Sequence, residues 1–166
     1  MQYQDIMNII YPYKDKLYRF ALRLVNNSFD AEEIVQDLLI KVWKKKEDFM
    51  KLENQEAWCM TVTRNLAYDK LRKRKAPHAE IETQYDLKDK QVTPDIQLEQ
   101  KDLLQRVKEV INRLPLELKT VIQLRDIEGY TYQEIADIQE WSLNKVKVYI
   151  HRARKSLQLE LTKIEL

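Results

Sequence analysis

The side chains best suited to chemistry in this sequence are cations, and they gather at two places in a nearly neutral chain. Residues 70–75 read Lys-Leu-Arg-Lys-Arg-Lys, and residues 143–155 hold five basic side chains and no acid. The 166-residue chain has a formal net charge of only +2, since 29 basic residues stand against 27 acidic ones. Two local basic patches in such a chain predict two docking points on a polyanion such as nucleic acid.

The composition gives little support to other chemistry. One cysteine, Cys59, allows no internal disulfide, and histidines only at 78 and 151 predict no metal site. A single glycine argues against glycine-rich nucleotide loops and against a sheet-rich fold. No pair of catalytic residues stands out. We therefore expect no enzyme activity, no cofactor and no metal.

Features of membrane or exported proteins are also missing from the sequence. No run of about 18 apolar residues is present, and residues 1–5 lack the basic start and apolar core of a signal peptide. The lone cysteine fits a reducing compartment. We expect a cytoplasmic protein that does not insert into a membrane.

Helical periodicity covers nearly the whole chain and predicts an all-α fold of two helical domains, residues 1–75 and 98–166. The segment between them, 76–97, contains two prolines, has a net charge of −3 and shows no sustained periodicity, so we interpret it as a flexible linker. In the first domain we expect a helix over 3–24. A second helix should start at Asp30 as N-cap, with Glu33 as capping-box partner, and a third should run from Glu56 to Lys75.

The second domain is predicted to contain four helices, the last two forming a helix-turn-helix. Its first helix starts near residue 96, and Pro115 suits the first turn of the next. Gly129 suits a left-handed helix end, and Thr131 with Glu134 forms a capping box. A short helix over 132–138 and a turn at 139–142 then precede a longer helix from Leu143 to about 161.

The last helix is predicted to bind DNA with one face. Val146, Ile150 and Ala153 share the face that must pack on the domain, and Ser142 suits the N-cap. Lysine at position 145, where a capping box would place an acid, leaves the helix N-terminus free to meet an anion. A basic helix face can be merely solvated, but the preceding short helix and turn favour DNA binding. The candidate DNA-contacting residues are Ser142, Asn144, Lys145, Lys147, Val148, His151, Arg152 and Lys155.

Residues 126–136 (DIEGYTYQEIA) and 151–157 (HRARKSL) resemble region 4 of the extracytoplasmic-function (ECF) sigma factors. The resemblance implies that the last helix reads the −35 promoter element. This chain departs from the family at Glu140, where the turn normally has glycine, and Trp141 follows it. Val148 and Tyr149 stand where polar or basic residues are usual. These departures predict an unusual −35 sequence, with Val148 placed to touch a thymine methyl group.

Residues 17–22 (LYRFAL), 30–37 (DAEEIVQD) and 64–72 (RNLAYDKLR) resemble region 2 of the same family. The resemblance implies that the helix after Asp30 docks on core RNA polymerase and that the later part of the domain binds the −10 element. With its apolar stripe turned inward, that helix presents a polar face. The candidate polymerase-binding residues are Glu33, Gln36, Asp37 and Lys41.

Capture of melted −10 DNA needs a cationic track, a base pocket and stacking surfaces rather than a catalytic residue. The loop over residues 49–55 is where the family holds its extruded base, and Trp58 suits the core and a DNA contact equally well. The candidate −10 residues are Asn54, Gln55, Trp58, Arg64, Lys70, Arg72, Lys73 and Arg74.

The two resemblances together predict an RNA polymerase sigma factor whose partners are core polymerase and promoter DNA. They also imply an anti-sigma partner, which in this family is often membrane-bound. Two other classes stay open. A helix-turn-helix activator or repressor would explain the end of the chain but not residues 30–74. A protein-binding adaptor, such as a sigma decoy that has lost DNA binding, would fit the missing turn glycine and Val148.

Overall fold

The computed structural model describes residues 2–75 and 97–164, and these residues form helices joined by short turns. The all-α prediction is confirmed for this part of the chain. The predicted linker lies outside the described residues except for Gln97, which begins a helix. The helices are α1 (Tyr3–Ile10), α2 (Lys14–Val25), α3 (Ser28–Lys44), α4 (Lys46–Met50), α5 (Gln55–Arg74), α6 (Gln97–Arg113), α7 (Leu116–Ile122), α8 (Tyr132–Gln139) and α9 (Leu143–Ile164).

The chain divides into two compact units. Among the described residues, the first contains 2–75 with Asp137–Gln139, and the second contains 97–136 with 140–164. No helix within residues 2–75 and 97–164 is long and apolar enough to cross a membrane.

The first unit is organised around α2, α3 and α5, which pack on one another. The predicted apolar stripe of α3 is confirmed, because Ala31, Ile34, Val35, Leu38 and Val42 are all buried. This stripe meets buried side chains of α2 and α5, and the opposite side of α3 is left to solvent. The buried partners are Leu17, Phe20, Ala21, Leu24, Cys59, Met60 and Ala67.

The single N-terminal helix expected over 3–24 is wrong. A 3₁₀ turn over Tyr11–Tyr13 separates α1 from α2, and Pro12 stands in its first positions. Proline has no N–H to donate within a helix, and its ring clashes with the preceding turn. The apolar periodicity continues across the break, since Ile6 and Ile10 are buried in α1 and Leu17 in α2.

The predicted helix start with Asp30 as N-cap is also wrong, because α3 begins three residues earlier. Asn27 is the N-cap, and its side-chain oxygen accepts the Asp30 N–H at 2.9 Å. Asp30 lies in the first turn, buried, where its carboxylate accepts a hydrogen bond from the Arg74 guanidinium. Arg74 also donates to the carbonyl oxygen of Val25 at 2.7 Å, so one side chain ties the end of α5 to the α2–α3 corner.

The second unit packs α9 against α7 and α6. The predicted left-handed glycine is confirmed at Gly129, which has φ +80°. The predicted capping box is confirmed too: Thr131 Oγ1 accepts the Glu134 N–H at 3.1 Å, and Glu134 Oε2 accepts the Thr131 N–H at 2.7 Å. Between α7 and this turn the backbone forms one π-helical turn over Gln123–Ile127.

A buried lysine in α7 predicts a pH-dependent stability. Burial lowers the pKa of Lys119 from 10.5 to about 8, because removal from water disfavours the charged ammonium. The unfolded chain therefore binds more protons than the folded chain between about pH 8 and 10.5, and stability should rise with pH in that window. Lys119→Met should raise the free energy of unfolding at pH 7 by about 1–3 kcal/mol, since it removes a buried charge at similar volume.

Urea unfolding followed by circular dichroism at pH 7 and at pH 9.5 measures this effect. The advantage of Lys119→Met should shrink at the higher pH, where the wild-type ammonium has lost its proton. Lys163→Met, at an exposed site, is the control and should change stability little at either pH. An equal gain for Lys119→Met at both pH values would contradict the explanation.

Candidate DNA and polymerase interfaces

The position of α9 is fixed by a buried apolar stripe. Val146, Ile150 and Ala153 are at most 1% exposed, so this face is fully used in packing. The helix starts at the predicted N-cap, where Ser142 Oγ accepts the Lys145 N–H at 3.2 Å. The first turn of α9 contains no acid. The helix therefore presents its opposite face to solvent with a positive N-terminal end.

The structure brings all the candidate −35 residues together on this open side of the helix-turn-helix. Seven of the eight are exposed, and Lys145 is half-buried. Val148 is 45% exposed, which is consistent with a contact to an apolar group on a partner and not with a core role. The exposed members are Ser142, Asn144, Lys147, Val148, His151, Arg152 and Lys155.

Arg154 differs from these neighbours because its charge is already engaged. Its guanidinium donates to both carboxylate oxygens of Asp126, at 3.2 and 2.7 Å. This two-fold contact joins α9 to the π-helical turn before Gly129. Arg154 therefore supports the fold of the second unit, while Arg152 and Lys155 lie exposed on the same helix.

The turn between α8 and α9 is left-handed at Glu140, although this residue is not glycine. Glu140 has φ 59° and ψ 39°, and its N–H donates to the carbonyl of Ala136. The next residue, Trp141, donates its backbone N–H to the same carbonyl oxygen at 3.0 Å. The α8 end is thus closed in the usual helix-terminating way, although the residue there has a Cβ atom.

Glu140→Gly should stabilise the protein by about 1 kcal/mol, because glycine adopts this conformation without the steric cost that other residues meet. Thermal unfolding measures the gain. Glu140→Ala is the control: it removes the same carboxylate but keeps the strained backbone, so it should not stabilise. Equal gains for both variants would show that the carboxylate, and not the backbone, is responsible.

A cluster of aromatic and cationic side chains lies beside this turn, and the sequence did not predict it. The rings of Trp141 and Tyr149 are 4.7 Å apart at their centroids. Lys145 Nζ lies 4.1 Å from the Trp141 centroid and 5.3 Å from that of Tyr149, and the Arg152 guanidinium carbon lies 5.6 Å from Tyr149. The signal in the sequence was the spacing of four between residues 141, 145 and 149.

The candidate −10 loop, predicted over residues 49–55, is shorter in the structure, because Phe49 belongs to α4 and Gln55 begins α5. Contacts between these residues brace it from within. Phe49 is buried and meets Trp58 edge to face, with ring centroids 5.6 Å apart. Asn54 caps α5 by accepting the Ala57 N–H at 2.9 Å, and Gln55 Nε2 donates to the Phe49 carbonyl at 3.2 Å. Asn54 remains exposed, while Gln55 and Trp58 are half-buried. These contacts brace the loop, and its polar tip faces solvent.

Several of the candidate −10 cations along α5 already pair with other residues of this protein. Lys70 Nζ lies 2.9 Å from a carboxylate oxygen of Glu33, and Arg72 pairs with Asp69 one turn earlier. Arg74 is held by Asp30, and Arg64 is buried with its guanidinium donating to Asn65 Oδ1. The exposed cations at this end of α5 are Arg72, Lys73 and Lys75.

The candidate polymerase-binding face of α3 was predicted to be polar, but in the structure it also carries apolar side chains. Glu33, Gln36 and Lys41 are exposed and Asp37 is half-buried, as expected for a solvent face. Phe29 and Ile40 are 69% and 51% exposed. Residues 29, 33, 36 and 40 are spaced by four, three and four, so these two apolar side chains share the face with Glu33 and Gln36. An exposed apolar pair within a polar rim is typical of a protein interface.

Metal-binding groups and the single cysteine are the remaining candidates for chemistry in the described residues. Within residues 2–75 and 97–164, no group of three or more Cys, His, Asp or Glu is placed to hold a metal ion. Cys59 is buried beside Tyr13, and burial raises the pKa of its thiol to about 12. A thiol that stays protonated at neutral pH is a poor nucleophile.

Comparison with known proteins finds one family match in each half of the chain. Residues 9–76 match the family model of Sigma-70 region 2, and residues 104–157 match that of Sigma-70, region 4. The chain is 30% identical over 161 residues to the RNA polymerase sigma factor SigV of Bacillus subtilis, covering 97% of this chain and 93% of the relative. It is 28% identical over 172 residues to the ECF RNA polymerase sigma factor SigX of the same organism, covering 98% and 88%.

A solved structure extends the similarity to the fold. The sigma factor RpoE of Bartonella quintana, determined in complex with the anti-sigma factor NepR, matches with a TM-score of 0.75 and 28% identity. The match covers 96% of this chain and 98% of RpoE. With the two region matches in their expected order along the sequence, the chain belongs to the ECF family of RNA polymerase sigma factors and directs promoter-specific transcription.

Proposed function

We propose that this sigma factor recognises its promoters with one surface on each of two domains, residues 1–75 and 98–166. The open face of α9 enters the major groove at the −35 element. The loop over residues 49–55 and the end of α5 hold the melted −10 strand, and the outer face of α3 binds core RNA polymerase. The chain supplies binding and positioning, and the catalysis belongs to the polymerase.

The observation that carries this proposal is the division of α9 into two faces. Its packed face is apolar and buried, and the opposite face gathers side chains that reach base edges and phosphates. The N-terminal residues of a recognition helix are those that contact bases in helix-turn-helix proteins. Asn144, Lys145 and Val148 lie in that first part of α9, while Arg152 and Lys155 lie further along, where phosphates are in reach.

The −10 function rests on the braced loop and its neighbours. A single strand is held by stacking and by cations that follow its backbone. Trp58 offers a half-buried ring beside the loop, Asn54 is exposed at the loop tip, and Arg72 and Lys73 continue the track as exposed cations. Arg64 and Arg74 have protein partners in this structure, so they contribute to the track only by exchanging those partners for DNA.

The polymerase contact rests on the face of α3 that carries Phe29, Glu33, Gln36 and Ile40. Apolar side chains at the centre of an interface supply most of its affinity, and a polar rim fixes the register. Asp37 and Lys41 stand beside this row and extend the rim. The stripe on the opposite side of α3 holds the helix rigid while this face binds.

We propose further that the segment between the two domains, predicted as a linker over residues 76–97, joins two weak DNA contacts. Binding of one domain raises the effective concentration of the other at its own element, so neither contact needs high affinity alone. A net charge of +2 gives the free chain little general attraction to DNA, which leaves promoter binding dependent on core polymerase.

An anti-sigma factor is a further proposed partner. The similar sigma factor RpoE was solved in complex with the anti-sigma factor NepR. We expect a cytoplasmic sigma factor here to be held inactive by a protein that competes with core polymerase, either soluble or anchored in the membrane. A protein isolated with the tagged chain supports this only if, once purified, it blocks transcription by the reconstituted holoenzyme.

Run-off transcription tests the proposed function. The purified chain and core RNA polymerase from the source bacterium are combined with sheared genomic DNA of that organism, and the 5′ ends of the products are sequenced. We expect discrete start sites that share two upstream motifs separated by a constant spacing. Randomising the upstream motif should abolish the starts if α9 reads a −35 element.

The alternatives give different results in the same assay. Core binding without specific starts would indicate a sigma decoy that has lost promoter recognition. DNA binding without core binding would indicate a helix-turn-helix regulator, and it would overturn the assignment of the α3 face.

A further inference from the structure

We propose that Trp141 and Tyr149 are positioning residues that hold the Lys145 ammonium in place to read a guanine edge in the −35 element. The two rings and the ammonium form a compact cluster, hereafter the aromatic clamp, at the start of α9. This inference rests on the proposed binding of −35 DNA by α9. It adds two residues that were absent from the candidate contact set.

The clamp is anchored by the fold and not only by its own contacts. Trp141 lies in the turn, where its backbone N–H is bonded to Ala136 at 3.0 Å. Tyr149 lies two turns into α9, beside the buried Ile150. Lys145 stands between them in sequence and meets both rings, at 4.1 and 5.3 Å. Both rings are half-buried, whereas the neighbouring side chains Asn144 and Val148 are exposed.

The clamp restricts a side chain that is otherwise among the most mobile in proteins. A free lysine loses much rotamer entropy when it is ordered at an interface, and that loss weakens binding. Lysine already held over ring faces has lost part of that freedom before DNA arrives. The rings attract the cation without accepting its N–H groups as a carboxylate would, so the ammonium keeps its donors for DNA.

Restriction of this kind favours base reading over general attraction to DNA. A cation that only contacts the phosphate backbone gains little from a fixed position, because that attraction is independent of sequence. Reading guanine requires a donor placed at O6 and N7 in the major groove. Lys145 has the position for this task, since it lies in the first turn of the helix that faces the groove.

The experiment uses holoenzyme assembled from core polymerase and the full chain, with a promoter library randomised over the −35 element. The wild type should prefer guanine at one −35 position. Lys145→Met should reduce that preference about tenfold, and Trp141→Leu and Tyr149→Leu about threefold each. The conservative variants Trp141→Phe and Tyr149→Phe should retain most of it, because a ring face remains. Thermal unfolding of each variant shows whether it folds, and Tyr149→Leu provides the test if Trp141→Leu does not.

A double variant separates positioning from simple structural support. If Trp141 acts through Lys145, Trp141→Leu should reduce the guanine preference no further once Lys145→Met is present. Tyr132→Leu is the matched control, since it removes a ring from another cation–π pair, with Arg125 at 4.8 Å, outside the clamp. It should leave the guanine preference unchanged.

Each contrary outcome points to a different error. A guanine preference lost in Lys145→Met but intact in Trp141→Leu and Tyr149→Leu would overturn the clamp and leave the −35 assignment standing. A loss spread evenly over all −35 sequences in Lys145→Met would overturn base reading by this lysine. Transcription by the wild type that ignores the −35 sequence would overturn the proposed function of α9 itself.

Discussion

Ile40→Asp is expected to weaken the binding of core RNA polymerase about a hundredfold, which is the largest effect expected of a single substitution here. Ile40 is one of the two exposed apolar side chains of the proposed polymerase face, with half of its surface exposed. An apolar side chain that becomes buried in an interface can contribute about 2 kcal/mol or more, and an unpaired carboxylate in its place adds a desolvation cost. The fold itself should tolerate the change, because the side chain is not part of the core.

Fluorescence titration of labelled core polymerase measures this affinity. Tyr11→Asp is the matched control, since Tyr11 is 74% exposed in the same unit but lies in the 3₁₀ turn outside α3. It should bind core polymerase as the wild type does. Phe29→Ala should fall between the two. Wild-type affinity in Ile40→Asp, with the melting temperature unchanged, would show that the polymerase docks elsewhere.

Arg152→Ala is expected to reduce transcription from −35-dependent promoters about ten- to a hundredfold while the affinity for core polymerase stays the same. The guanidinium is exposed on the open face of α9 and lies near the Tyr149 ring at 5.6 Å. One good contact to a base edge or phosphate contributes about 1–3 kcal/mol. Lost contact to a phosphate weakens all promoters alike and reduces the salt dependence of binding, whereas lost contact to a base relaxes one promoter position.

Initiation rates distinguish a lost phosphate contact from a lost base contact. They are measured on a wild-type promoter and on −35 variants, each over a range of salt concentrations. Lys163→Ala is the control on the same helix, because it removes one positive charge near the other end of α9, where Lys163 pairs with Glu160. It should change the rates little. A loss of polymerase binding in Arg152→Ala would contradict the separation of the two interfaces.

Local signals in the sequence were enough to place most helices. The Thr131–Glu134 capping box, the Ser142 cap and the Gly129 turn each depend on residues a few positions apart, and all three appear in the structure. The two faces of α9 followed from its 3.6-residue period in the same way.

The predicted helix bounds were wrong where a distant residue, or a competing residue nearby, determines where the helix begins or ends. Asp30 has the right chemistry for an N-cap, but Asn27 takes that position and Arg74 binds the carboxylate from 44 positions further along the chain. No local pattern contains that pairing. Pro12 was visible in the sequence, yet the uninterrupted apolar period around it favoured one helix over two.

The sequence analysis named polar residues on the outer face of α3 and left out its two exposed apolar ones. Phe29 lies before the helix start that the sequence predicted, and Ile40 is of a type usually found in a core. Trp141 precedes α9, so a helical face drawn for α9 alone did not include it. The contacts of Arg74 with Val25 and Asp30 likewise depend on neighbours that only folding brings together.

The corner between α2 and α3 has a consequence for how this protein folds. Asn26 ends α2 in the left-handed conformation and Asn27 caps α3, so two adjacent residues replace a connecting loop. Closing the α2–α3 hairpin therefore costs little chain entropy, and its contacts are close in sequence. This hairpin should form early and be partly structured in the folding transition state of the first unit. The Arg74 contacts, which close a much longer stretch of chain, should then form late, and their loss would speed unfolding more than it slows folding.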